Sequence, residues 1–341
     1  MSKIKIWSIN CWGEAQDLVE RLERLLQAVQ REKPSIMLGQ ELFTPYSRFT
    51  FDALLSSDYH IIHAVHVLPK FPWISYLLPV GLAMLVGKWG LLVNPYTILW
   101  VSNMILKPVL FPGVPVVKHL GSKSSSFMAT CTIFSKRFFK SARAVEIKGF
   151  EHGIRGYPVP SWRKPGKLFF LYIQHTFFRP HYNISEGITK EGGRVLAVNV
   201  HLILGNPNPY RAKQMEVVLE RVRELSREGD EIYICGDFNI DSNDKSETTF
   251  RLLKAEGYQD SLTWAQGGGA RDGFRTDSIT WSPSNKYVPN DEDDKDLNTR
   301  LDYVWYKGKG KGEEHEVIFN EKDNLVSDHY GIQAVVNVKC S

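Results

Sequence analysis

The chain has 341 residues, 43% hydrophobic and 23% charged, which supports a packed core and excludes global disorder. Its 26 Gly and 17 Pro exclude a collagen-like or fibrous chain. A balance of 42 basic against 38 acidic residues leaves a net charge of +4, too mild by itself to mark a nucleic-acid binder.

Residues 3–10 alternate in hydropathy and end at Asn10-Cys11-Trp12-Gly13, a strand followed by a turn. No export signal precedes them, because Lys3-Ile4-Lys5-Ile6-Trp7 already reads as strand; the expectation is a location on the cytosolic side. Residues 15–32 place Leu18, Leu22, Leu25, Leu26 and Val29 at helical spacing. Ser35–Gly39 is a short apolar run that ends at Gln40-Glu41. Met128–Phe134, Lys167–Gln174 and Arg194–His201 read as strands, and 210–227 as a second amphipathic helix. Glu231–Cys235 is a buried strand opening into Gly236-Asp237-Phe238-Asn239; Leu301–Tyr306 and Gly331–Val338 are late strands. Many strands and few long helices predict two sheets packed on each other and flanked by helices in one domain, residues 1–341.

The four cysteines, Cys11, Cys131, Cys235 and Cys340, lie about a hundred residues apart. That spacing forms no metal-ligand pattern or disulfide framework, and Cys131 and Cys235 read as buried free thiols. Asp291–Asp296 reads as a solvated loop, and the glycosylation-like Asn183-Ile184-Ser185 as a chance match.

One region breaks the pattern. Phe71–Gly87 and Trp89–Leu106 are uncharged runs of 17 and 18 residues, separated by Lys88. From His60 to Val145 there are nine Lys or Arg and no Asp or Glu. Each run as a helix would be roughly 25–27 Å long, but Pro72, Pro79 and Pro95 interrupt them. Trp73, Trp89 and Trp100 among lysines suit a segment lying on an anionic membrane surface. The expectation is therefore a hydrophobic insertion over 64–120, membrane-interfacial, on a peripheral membrane protein. A true span, a protein-partner surface and ordinary core are the other readings.

Polar residues stand where the apolar runs end: Asn10, Glu41, His201, Asp237, Asn239, Asp302, Asp328 and His329. A sheet can collect such positions at one edge. Carboxylates and amides without cysteine ligands suit a hard cation such as Mg²⁺, and two histidines near acids suit proton transfer or phosphate charge stabilisation.

In this order the motifs resemble the endonuclease/exonuclease/phosphatase superfamily of metal-dependent phosphoesterases. They are Ile9-Asn10-Cys11-Trp12-Gly13, Gln40-Glu41, Asn199-Val200-His201-Leu202, Gly236-Asp237-Phe238-Asn239, Arg300-Leu301-Asp302-Tyr303 and Ser327-Asp328-His329. The resemblance spans residues 3–62 and 126–338. Within the superfamily the chain is most similar to neutral sphingomyelinases, through Asn-Cys-Trp-Gly, the strand-end His201 followed by Tyr210-Arg211-Ala212-Lys213-Gln214, and Arg300–Val304. The resemblance implies an α+β fold, a four-layer α/β/β/α sandwich of two mixed sheets. It implies Glu41 as main Mg²⁺ ligand (Mn²⁺ as a substitute), with Asn10 beside it or on the phosphate, and Asp328 supporting the metal side. Asp237 and Asn239 would orient the water or the phosphate. His329 would be general base or a cation facing the phosphate, Asp302 would hold its tautomer, and His201 would donate to a non-bridging oxygen. Lys167 is a weaker match to a phosphate-contacting lysine.

The motif and the apolar insertion favour a membrane phospholipid as substrate, most of all sphingomyelin cleaved to ceramide and phosphocholine. The alternative is a DNA or RNA phosphodiesterase, for which nucleic acid is the partner. Basic residues at Lys136, Arg137, Lys140, Arg143, Arg155, Arg163, Lys164 and Lys167 fit either polyanion or a plain solvated face. An inositol-phosphate phosphatase is disfavoured, because Arg300-Leu301-Asp302 stands where those enzymes carry Cys-Asp-Arg.

Overall fold

The computed structural model describes residues 2–12, 16–42, 45–65, 129–149, 181–203, 208–244, 247–264, 278–288 and 298–338. They fall in one unit, built from chain on both sides of the apolar stretch. The strands are β1 (Ser2–Asn10), β2 (Ile36–Gln40), β3 (Tyr59–Val65), β4 (Ala129–Ser135), β5 (Phe139–Gly149), β6 (His181–Thr189), β7 (Arg194–His201), β8 (Glu231–Asp237), β9 (Gln259–Asp260), β10 (Asp302–Lys307), β11 (Lys311–Ile318) and β12 (Gly331–Val338). The helices are α1 (Leu18–Glu32), α2 (Pro45–Leu55), α3 (Asn208–Leu225), α4 (Thr248–Ala255) and the single turn α5 (Ser261–Trp264).

The strands form two six-stranded sheets, ordered β11-β12-β1-β2-β4-β3 and β5-β6-β7-β8-β10-β9. Both are mixed: β1 runs parallel to β2 and β7 parallel to β8, and the other pairs are antiparallel.

Strand alternation sorts the core into layers. Ile4 and Ile6 of β1, Ile36 and Leu38 of β2, Val195 and Ala197 of β7, Tyr233 and Cys235 of β8, and Val304 and Tyr306 of β10 meet between the sheets. Trp7 and Ile9 of β1 turn the other way, onto Leu18, Leu22, Leu25, Leu26 and Val29 of α1. On the second sheet Leu196, Val198 and Val200 of β7 and Ile232 and Ile234 of β8 pack under Met215, Val218, Leu219 and Val222 of α3. The result is the expected four-layer α/β/β/α sandwich. Each fully buried phenylalanine, such as Phe51 or Phe134, contributes roughly 1.5–3 kcal/mol relative to exposure.

The predicted α1 face is buried, but the helix starts at Leu18 rather than at residue 15. β3 runs to Val65, so the first two residues of the expected insertion belong to a strand. Cys11, Cys131 and Cys235 are buried free thiols, and Asn183 is fully buried in β6, closed to glycosylation. The rest of the 64–120 stretch with Trp73, Trp89 and Trp100, the predicted strand 167–174 with Lys167, and the acidic run 291–296 lie outside the described residues. Among the described residues no helix is long and apolar enough to cross a membrane.

Candidate active site

The alternation that builds the inner layer also builds the site. Along β1 the inward positions read Ile4, Ile6, Ser8, Asn10; along β2, Ile36, Leu38, Gln40; along β7, Val195, Ala197, Asn199, His201; along β8, Tyr233, Cys235, Asp237. β10 runs the other way, so its inward set begins at Asp302. Pairing then aligns the polar ends, because Asn10 registers with Gln40, His201 with Asp237, and Asp237 with Asp302. Gly236 permits the close approach of β7 and β8. Its φ is +142°, and a Cβ there would lie 1.9 Å from the Val200 carbonyl oxygen.

Asp237 is the hub and is 2% exposed. Its Oδ2 accepts the Asn10 amide (3.0 Å), and its Oδ1 accepts the Asn239 backbone N–H (2.8 Å). Asn10 Nδ2 also donates to Glu41 Oε1 (3.1 Å), and the Trp12 N–H donates to Asn10 Oδ1 (3.0 Å). His201 Nε2 stands 3.6 Å from both Glu41 Oε1 and Asp237 Oδ2. Two sheets therefore meet at the site: Asn10 and Glu41 come from one, His201 and Asp237 from the other.

His329 Nδ1 lies 2.9 Å from Asp302 Oδ2, and its Nε2 lies 4.0 Å from Asp237 Oδ2. Burial opposes a charge on the ring, but Asp302, Asp237 and Asp328 outweigh it and hold His329 well above the usual histidine range. Burial pushes the Asp302 carboxyl up, while His329 and the Thr280 hydroxyl pull it back. Burial also pushes the Asp328 carboxyl up to about 7; His329 opposes this, and Glu41 and Asp237 add repulsion. Asp328 thus feels the site, but lies outside the clusters of ligand atoms.

Two of the site residues sit in the left-handed region, Glu41 with φ 55° and Asn239 with φ 51°. That conformation costs Glu41 about 1–2 kcal/mol, whereas an asparagine such as Asn239 adopts it more readily. At Asn239 the backbone carbonyl accepts from Arg211 Nη1 (2.9 Å), and the side chain donates to Leu202 O (2.9 Å). Arg211 is itself held by buried Glu247 (3.1 Å).

Several supporting residues carry no sequence signal of their own. The Thr280 Oγ1 accepts the N–H groups of Leu301 and Asp302 (2.9 and 3.1 Å), and its carbonyl accepts the Tyr330 N–H (2.7 Å). Trp281 bridges to His329 backbone to backbone. Asn285 Nδ2 donates to the carbonyls of Ser327 and Asp328, and buried Arg21 to those of Cys11, Trp12 and Val326.

The donor set fits a divalent cation. Ligand atoms of Glu41, His201 and Asp237 lie within 4.8 Å of one another, as do those of Asp237, Asp302 and His329. The set is mostly carboxylate, and the buried Asp302 Oδ1 has no hydrogen-bond partner among the described residues. Asn10 presents its amide nitrogen to both carboxylates, so a ligand role for its oxygen requires the amide to turn.

The sequence profile of the endonuclease/exonuclease/phosphatase family matches residues 7–329. The chain belongs to this family. Solved structures agree on the fold. Truncated TDP2 of Caenorhabditis elegans is 16% identical over 98% of each chain, with a TM-score of 0.60. D. rerio TDP2, solved with a single-strand DNA product, is 16% identical over 99% of this chain and 100% of that one, with a TM-score of 0.60. The human Nocturnin catalytic domain with bound sulfate is 14% identical over 99% and 94%, with a TM-score of 0.57. No curated protein matches the sequence. Members of the endonuclease/exonuclease/phosphatase family are metal-dependent phosphoesterases, and the carboxylate and histidine cluster of this chain matches that chemistry.

Proposed function

We propose that the protein is a divalent-metal-dependent phosphodiesterase, with Mg²⁺ as the working ion and a nucleic-acid strand as substrate. One observation carries the reaction class: Asn10, Glu41, His201, Asp237, Asp302 and His329 converge from two sheets on one spot. Glu41, with Asp237 and Asn10, would hold the cation, which supplies positive charge against the anionic phosphate as the transition state forms. Asp237 and Asn239 orient the water or the phosphate. Asp302 fixes the proton on His329 Nδ1, so Nε2 is the atom that exchanges a proton at the reacting water. His201 Nε2 donates to a non-bridging oxygen, and Asp328 supports the acidic side.

For the substrate, the structural likeness to TDP2, seen elsewhere with a single-strand DNA product, supports nucleic acid. The sequence puts a phospholipid first, and that second reading rests on two specific features: Asn10-Cys11-Trp12-Gly13, and the acid-free aromatic run over 64–120. In that reading the product pair is ceramide and phosphocholine, and the run docks on a membrane. The test is parallel incubation with labelled single-stranded DNA, RNA and sphingomyelin micelles, with and without Mg²⁺. Mg²⁺-dependent strand cleavage with inert lipid is the expected result. Phosphocholine release with inert strands would move the site to the lipid reading.

A further inference from the structure

Contacts between the sheets are apolar along most of their length. At the last inward positions below the site they change character. Gln40 of β2 and Asn199 of β7 face each other there, both fully buried. Gln40 Nε2 donates to Asn199 Oδ1 (2.8 Å) and to the carbonyl of Leu38 (3.1 Å). Asn199 Nδ2 donates to the carbonyls of Gly39 (3.0 Å) and Cys131 (3.2 Å). One side chain from the second sheet thus grips β2 and β4 of the first.

The arrangement is costly. Gln40 Oε1 is buried with no hydrogen-bond partner among the described residues, so its loss of water is uncompensated. Two apolar side chains of the same volume would avoid that cost. Apolar contact is non-directional, however, and fixes the position of one strand end against another less sharply than paired amides do. The residues that need such control lie next along the same chains. Glu41 follows Gln40 directly, and His201 is the next inward position after Asn199, level with Asp237. The 3.6 Å separation between Glu41 Oε1 and His201 Nε2 spans the two sheets.

We infer that Gln40 and Asn199 are positioning residues, an amide clamp that sets the distance between the two halves of the cation-binding cluster. The inference rests on the reading of Glu41, Asn10 and Asp237 as a cation site, with Glu41 and Asn10 on the first sheet and Asp237 on the second.

The test is Mn²⁺ binding to the full chain, followed by electron paramagnetic resonance, beside thermal melts without metal. The variants are Gln40→Met and the double variant Gln40→Met/Asn199→Leu. The expected result is a folded double variant whose melting midpoint stays close to that of the parent and whose Mn²⁺ affinity falls about 10- to 100-fold, as for other residues that orient metal ligands. Gln40→Met alone is the milder probe if the double variant does not fold, and it should weaken Mn²⁺ in the same direction. Mn²⁺ affinity within about twofold of the parent in a folded variant overturns the clamp. Loss of folding in Gln40→Met also overturns it, because the pair then serves stability alone. A parent protein that binds no Mn²⁺ removes the cation site itself, and the clamp with it; parent and variants binding alike removes only the clamp.

Discussion

Two buried ion pairs flank the start of β10, and they do different work. Asp260 meets Arg300 through two bonds, of 2.8 and 2.6 Å, and Arg300 also stacks on Tyr303 at 4.3 Å. Asp302 meets His329 through one bond of 2.9 Å. The pairs are joined, since Arg300 Nε donates to the Asp302 carbonyl at 3.2 Å. Both are largely withdrawn from water, yet a guanidinium does not release its proton in a protein and an imidazole does. The first pair is therefore a permanent brace, and the second is the place where a proton moves. One strand end holds a rigid charge pair beside a titratable one, and the brace fixes the backbone from which Asp302 reaches His329.

Breaking the titratable pair should have the largest effect. His329→Ala is expected to lower turnover by about 10⁴-fold or more while the protein stays folded. Asp302→Asn should lose about as much by leaving the ring in the wrong tautomer. Steady-state kinetics beside circular dichroism check both.

Breaking the brace should act on stability instead. Arg300→Met strands the Asp260 carboxylate, and urea unfolding should show a loss of about 3–5 kcal/mol. The remaining folded fraction should keep most of its metal affinity.

The brace also predicts a pH dependence. Burial raises the Asp260 carboxyl, but Arg300 outweighs it and holds the group below the usual carboxylate range. A folded value below the unfolded one, about 3.9, gives stabilisation that is complete above that pH and is lost as pH falls through the folded value. Melts taken from neutral pH down to about pH 3 should show a steeper acid decline in the parent than in Asp260→Asn.

The smallest effect belongs to an exposed pair. Arg143 bonds Glu186 at 2.9 Å from a side chain that is 71% exposed. Arg143→Ala should change stability by less than about 1 kcal/mol. A larger loss would mean that burial is not what separates the brace from the surface pairs.

Much of this was legible in the residues. Strands with long apolar runs, such as β7 and β8, announce themselves, and the polar residue that ends each run marks the site. Edge strands do not: β5 carries Lys140, Arg143 and Glu146, and β11 carries Glu313, Glu314 and Glu316, because one face of each meets water. β6, α2 and α4 mix polar and apolar residues and carry no such run. At the site, Asn10, Glu41, His201, Asp237, Asp302 and His329 could be named from strand ends and motif order, and the structure brings them together. Thr280, Trp281 and Asn285 act through contacts to the backbone, and no pattern of charge or spacing distinguishes them from ordinary turn or core polar groups. Gln40 and Asn199 stand inside the motifs, but only the structure shows that their amides meet.

The most direct measurement is hydrolysis of bis-para-nitrophenyl phosphate, a generic phosphodiester that favours no natural substrate. It should be run with Mg²⁺ or Mn²⁺, with a chelator, and with Glu41→Ala and His329→Ala. The account predicts metal-dependent release of nitrophenolate that disappears with the chelator and with each substitution. Hydrolysis that survives the chelator or both substitutions, or no hydrolysis by the parent with either metal, would contradict it.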